Sequence, residues 1–326
     1  MKNNERRIYY YDASVKSSSK YANPPNMDEV IAAIKVQFDK GRAKHSILKG
    51  SATLEIGDIS IDNERCFAIL LVRISDTAAP DAFFSDPIKG TSRVERKQAG
   101  EGRGYAAHVL ISTVETSGAP NNYLMVLEKN TGLHRHHIVR LIQAVLKDLY
   151  KREPDRFACD HIGGQRYKGA PKRVNFRPML ELLGHPSKSL VQELEKGTLK
   201  EVSLIHSEEG SQLGGKPWLK TQEKVLKVKA SISNPIHNMW NQLVEVLKQQ
   251  SENGYERARI KFKKDDNEHI SLDIDTATGN SLDDRFVRTS RISDVKPLLD
   301  ESSDLIVKHF ADRMISLFLE ARGNPV

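Results

Sequence analysis

Arg257-Ala-Arg-Ile-Lys-Phe-Lys-Lys264 alternates basic and apolar residues, and Lys224-Val-Leu-Lys-Val-Lys229 follows the same pattern over most of its length. A β-strand sends successive side chains to opposite faces, so Ala258, Ile260 and Phe262 are expected inward and Arg259, Lys261 and Lys263 outward. In the second stretch Leu226, Val228 and Ala230 are expected inward, with Lys227 and Lys229 outward. If the two strands share a sheet, one face becomes a basic plate. Like charges facing each other in a sheet are mildly unfavourable, so such a plate points to a polyanionic partner. The plainer alternative is a solvated strand face carrying scattered lysines.

Outward from these strands, helical and strand-like periods alternate along the chain. An extended start at residues 8–11 leads to a helix that Asn26 is placed to cap, with Val30, Ile31, Ile34 and Phe38 at helical spacing. A hairpin follows at 53–61 and 65–74, joined by Asp62-Asn63-Glu64, with Gly57 shifting the phase of its first strand. Residues 80–104, with Lys89, Arg93, Arg96, Lys97 and Arg103 among glycines, read as a long flexible basic loop. Strands at 106–114 and 123–128 and a helix at 133–150 come next.

A junction rich in Lys, Arg, Pro and Gly spans 151–177. Helical pieces are then expected at 176–183 and 187–196, and strands at 201–206 and 223–231. A helix at 236–250 carries the stripe Met239, Trp240, Leu243, Val244 and Leu247. Strands at 257–263, 269–275 and 286–292 and a helix at 303–319 close the chain. Mixed runs of strands and helices argue for an α+β fold of two domains, with mostly antiparallel sheet and packed helices. The expected division is 1–150, a basic linker at 151–178, and 179–326.

The 326 residues carry a formal net charge of +7, which suits an anionic partner. Cys66 and Cys159 lack metal-site spacing, and a reducing cytosol is the expected compartment. No apolar segment follows the charged start, and the apolar run near 67–72 is far too short to span a membrane, so neither a signal peptide nor a membrane helix is expected.

Catalytic signatures are scarce. His134-Arg135-His136-His137 places His134 and His137 one helical turn apart, yet no carboxylate or cysteine completes a metal set; a phosphate contact or a solvated helix start fits better. Asp265-Asp266 and Asp283-Asp284 sit in turns, where carboxylates usually accept from the backbone. Asp273 and Asp275, with Lys261 or Lys263, form the best case for a magnesium-dependent nuclease, and they could equally pair with the basic row. No phosphate-binding loop, dinucleotide fingerprint or nucleophile elbow occurs, and no cofactor is expected. Nucleic-acid binding has more support: the alternating strands, the basic glycine-rich loop, and the junction. Tyr167 between Arg166 and Lys168 is placed to stack or lie along a backbone. The expected contacts are Arg259, Lys261, Lys263, Lys227, Lys229, Arg166, Lys168, Lys172 and Arg173, reading phosphates rather than bases.

The order of elements resembles the RexA-like phage exclusion family of lambda-like prophages. The likeness is carried by Arg259-Ile-Lys-Phe-Lys-Lys-Asp-Asp-Asn-Glu-His-Ile-Ser-Leu-Asp-Ile274 and the strand and closing helix after it. It extends to the Ile56-Gly-Asp-Ile59 and Phe67-Ala-Ile-Leu-Leu71 hairpin and to Pro178-Met-Leu-Glu-Leu-Leu-Gly184. The resemblance implies a homodimer that binds double-stranded DNA without sequence preference, acts in superinfection exclusion and antiviral defence, and works with a separate membrane effector protein. It brings no catalytic residues. The alternatives are the nuclease and an adaptor whose basic surface meets an acidic protein or a membrane effector.

Overall fold

A computed structural model describes residues 3–116, 120–207, 222–230, 238–264, 268–282 and 286–323. The architecture is α+β with mostly antiparallel sheet. Two compact units form: one from residues 1–9, 13–182 and 290–326, the other from 10–12 and 183–289. Residues 151–178 therefore lie in the first unit.

The first unit is built on a sheet whose strands run β13-β1-β8-β7-β4-β3-β2. These are β1 (Arg6–Ser17), β2 (Lys44–Ile47), β3 (Ala52–Asp62), β4 (Phe67–Asp76), β7 (Arg103–Glu115), β8 (Asn122–Glu128) and β13 (Pro178–Gly184), with β18 (Thr289–Ile292) also pairing β1. The β3–β4 register slips between Ile56 and Asp58, at Gly57, where the sequence pattern changes phase. Helices α1 (Met27–Asp39) and α2 (Arg135–Arg152) pack on β3, and α1 also on β7, while α5 (Lys308–Gly323) packs on β7 and β8. Phe318 meets Phe67 edge-on and Phe310 meets His108, two sheet residues that share a face. The alternate residues Ala68, Leu70 and Val72 are buried as well, and burial on both faces explains the unbroken apolar run of β4.

α1 begins as its sequence predicts. The Asn26 side chain accepts from the Glu29 N–H at 2.9 Å, and the Glu29 carboxylate accepts from the Asn26 N–H at 3.2 Å. Two expectations fail. Residues 80–104 are not an irregular loop: β5 (Ala82–Asp86) and β6 (Thr91–Glu95) pair as a separate two-stranded ribbon. β5 runs three apolar residues together and β6 holds Val94 alone, so no amphipathic period betrays the ribbon. Residues 178–184 form strand β13 rather than a helix, because pairing beside β1 outweighs the local preference of a Met/Leu/Glu run. Between α2 and β13 the chain makes β9 (Ala158–Asp160), β10 (Arg166–Tyr167), β11 (Ala170–Pro171) and β12 (Arg173–Asn175), paired β9 with β12 and β10 with β11.

The second unit centres on an antiparallel sheet ordered β15-β14-β16-β17: β14 (Thr198–Ser207), β15 (Glu223–Lys229), β16 (Arg257–Lys263) and β17 (His269–Asp275). Helices α3 (Lys188–Lys196) and α4 (Met239–Glu252) complete it. Leu204, Ala258, Ile260, Phe262, Leu272 and Ile274 cluster with Leu190 and Leu194 of α3 and Met239, Trp240 and Leu247 of α4. Leu243 and Val244 of the expected α4 stripe are only partly buried.

Candidate nucleic-acid interface

Both alternating strands join one sheet, with β14 between them. In one row across the outer face Lys229 stands opposite Glu201, which stands opposite Lys261; in the next, Lys227, Ser203, Arg259 and Asp273 follow one another. The plate is therefore interrupted by carboxylates, contrary to the simplest reading of the sequence. Arg259 donates to both oxygens of Asp273, at 2.6 and 2.9 Å, and Lys261 lies 3.0 Å from Glu201. The Asp273 contact raises the Arg259 pKa, and the hydrogen bond from Lys261, followed by that from Ser203, lowers the Glu201 pKa. Lys227, Lys229 and Lys263 form no ion pair among the described residues. Leu226 and Val228, expected inward, are each 47% exposed, because the edge strand β15 lies beyond the apolar cluster built from β14, β16, β17 and the helices.

The junction supplies a second basic group, in the other unit. β10 and β11 are joined by Lys168 and Gly169, whose φ values of 51° and 81° match the two left-handed positions of a tight hairpin turn. Gly169 meets that demand without a steric penalty; Lys168 does not. The turn keeps Arg166, Tyr167, Lys168 and Lys172 exposed. Tyr167 is 64% exposed, with the Lys168 ammonium 5.4 Å from its ring centre. Arg166 and Lys168 form no ion pair among the described residues, and Lys172 reaches only the neutral Gln165 amide at 3.3 Å. Arg173 is tied back to β9, donating to the Ala158 carbonyl at 2.8 Å with Asp160 at 3.9 Å.

A third concentration of charge surrounds the start of α2, where the sequence predicts a solvated helix start or a phosphate contact for His134-Arg135-His136-His137. A cleft of about 570 Å³ is lined by Lys16, Arg135, His136, Arg140 and Gln143 along with the β13 residues from Met179 to Leu182. Lys16 pairs with Glu181. Gln143 donates to the Leu180 carbonyl at 2.9 Å. The rings of His136 and His137 are 4.0 Å apart, and the His137 Nδ1 accepts from the His134 N–H at 3.3 Å. Burial, then the positive field of His136, His134 and Arg140, pushes the His137 pKa from 6.5 down to about 4.

The carboxylate candidates are otherwise engaged. Asp273 is held by Arg259, and Asp275 Oδ1 accepts from the Thr278 N–H and hydroxyl at 2.9 and 2.7 Å. Asp12, which the sequence does not single out, is also engaged: it bonds the His185 ring through one oxygen, at 2.7 Å, and the Asn280 amide through the other. Asp265, Asp266, Asp283 and Asp284 lie outside the described residues. Among the described residues no three His, Cys, Asp or Glu side chains are arranged to share a metal ion, and no helix is long and apolar enough to cross a membrane. Compared with protein-family models, curated proteins and solved structures, the chain matches none of them.

Proposed function

We propose that the protein binds double-stranded DNA through its phosphates, without sequence preference and without catalysing a reaction on it, and serves in exclusion of superinfecting phage. The observation that carries the binding is the set of solvent-exposed cations free of carboxylate partners among the described residues: Arg166, Lys168 and Lys172 around one hairpin, and Lys227 and Lys229 on the edge strand. An ammonium already paired to a carboxylate gains little by meeting a phosphate. An unpaired one releases a condensed counterion from the duplex and gains affinity. Lys263 belongs with the free set, whereas Arg259, Lys261 and Arg173 contribute only by exchanging partners.

The exclusion role, the homodimer and a membrane effector partner come from the family resemblance, and the cytoplasmic setting from the cysteine usage. A dimer would present each basic surface twice, raising effective affinity without new contacts. The test is a titration of the purified protein on two unrelated duplexes at two salt concentrations with magnesium present. Comparable binding to both, weakened steeply by salt and leaving the DNA intact, supports the reading. Absence of binding at low salt overturns it, and magnesium-dependent cleavage transfers the weight to the nuclease.

A further inference from the structure

The ribbon of β5 and β6 leaves the sheet between β4 and β7, and its strands pair only with each other among the described residues. Its root is tied down. Lys97 donates through its ammonium to the Thr77 carbonyl at 2.8 Å and to the Ala79 carbonyl, and through its N–H to Asp81 at 3.1 Å. Gln98 donates to the Glu101 carboxylate at 2.7 Å. The tip is shaped as well: Asp86 accepts from the N–H groups of Ile88 and Lys89 at 3.0 and 3.1 Å, fixing the turn Pro87-Ile88-Lys89-Gly90.

Burial does not explain the apolar residues of this arm. Ile88 at the apex is 95% exposed, and the cross-strand pair Phe83 and Val94 is 66% and 52% exposed. The acidic groups, by contrast, are all used locally: Asp81 by the Lys97 N–H, Asp86 by the turn, and Glu95 by Arg93 at 2.7 Å. Arg93 also lies 4.6 Å from the Phe84 ring centre. Lys89 at the tip and Arg96 near the root form no ion pair among the described residues. A two-stranded ribbon fits a DNA groove, and an apolar side chain at its end is the kind of group that wedges between base steps and kinks a duplex.

We propose that the β5–β6 arm enters a groove of duplex DNA and seats Ile88, with Pro87 beside it, against a base step, while Lys89 and Arg96 meet flanking phosphates. This deepens the duplex-binding reading and rests on it. A protein partner fits less well, since the arm's acidic groups are used locally and the charges left without an ion pair among the described residues, Lys89 and Arg96, are both cations. The wedge costs unstacking energy, so a duplex whose stack is already interrupted binds better than an intact one.

The test uses the full-length protein with an intact duplex of about 25 base pairs, the same duplex with a central one-nucleotide gap, and a third carrying 2-aminopurine to report unstacking. The expected result is about a tenfold preference for the gapped duplex and brightening of 2-aminopurine on binding. Ile88→Ala should abolish both, binding gapped and intact duplex alike, and Lys168→Ala should weaken binding to the two duplexes equally. Ile88 is solvent-exposed, so its replacement leaves the fold unchanged by circular dichroism. Equal affinity for gapped and intact duplex without brightening overturns the wedge and leaves the duplex-binding reading standing. Absence of binding to either at low salt overturns both. A change in sedimentation of Ile88→Ala without DNA would make the arm a contact between copies of the chain and overturn the wedge.

Discussion

At the scale of single residues, the best-defined interaction is the buried set Arg6, Glu128 and His108. Arg6 donates to one Glu128 oxygen at 2.9 Å, and the other oxygen takes the His108 N–H at 3.0 Å and its Nδ1 at 2.7 Å. The His108 Nε2 accepts from the Val307 N–H at 2.9 Å, which fixes a neutral ring protonated on Nδ1. Arg6 continues to the Leu299 and Asp300 carbonyls at 3.2 and 2.9 Å, so this network anchors the chain leading into α5. Removing one member leaves a buried charge uncompensated, and Glu128→Ala should cost about 3–5 kcal/mol in denaturant unfolding. A loss below about 0.5 kcal/mol would mean that the charge is satisfied some other way. His137 gives a pH prediction. Its pKa is about 4 in the folded chain against 6.5 ordinarily, so between those values the unfolded state binds more protons. Stability should therefore rise with pH across that window and be lost as pH falls through it. His137→Gln should flatten the slope, read as denaturation midpoints at pH 4.5 and 7; an unchanged slope would remove His137 as its source.

At the scale of elements, alternation in β16 was legible because its two faces meet different surroundings: Ile260 and Phe262 are buried and Lys261 is exposed. The α1 start was legible because a capping box is local. The ribbon β5–β6 and strand β13 were not, for different reasons. The ribbon buries neither face, so no period marks it, and β13 is extended because a neighbouring strand is there to pair. The carboxylate of Asp273 likewise has a role that depends on its neighbour across the sheet, Arg259. If phosphate contact is made by this face, Asp273→Asn should free Arg259 and strengthen DNA binding about threefold, with a steeper salt dependence. The stability cost should stay below about 1 kcal/mol, since the pair is exposed. Unchanged affinity in the binding titration would remove this face from the interface.

At the scale of the whole molecule, the net charge of +7 favours an anionic partner but does not say which surface meets it. The free cations assigned to the interface set the expected salt effect. If Arg166, Lys168, Lys172, Lys227, Lys229, Lys263, Lys89 and Arg96 each replace one counterion, the logarithm of affinity should fall with the logarithm of salt at a slope of roughly −7. Replacing Lys227 and Lys229 together by alanine should reduce that slope by about 2 on every duplex. An unaltered slope in the double variant would place the contacts elsewhere.

The sequence by itself determined the fold class, most strands and helices, the α1 cap and the inward residues of β16, because periodicity and capping depend on near neighbours along the chain. Only the tertiary structure decided which charges are free. Pairing across a sheet joins residues remote in sequence, so Glu201 and Asp273 could take up Lys261 and Arg259 while the β10–β11 turn left Arg166 and Lys168 without an ion pair among the described residues. The same holds for Ile88, whose exposure follows from a ribbon whose strands pair only with each other among the described residues.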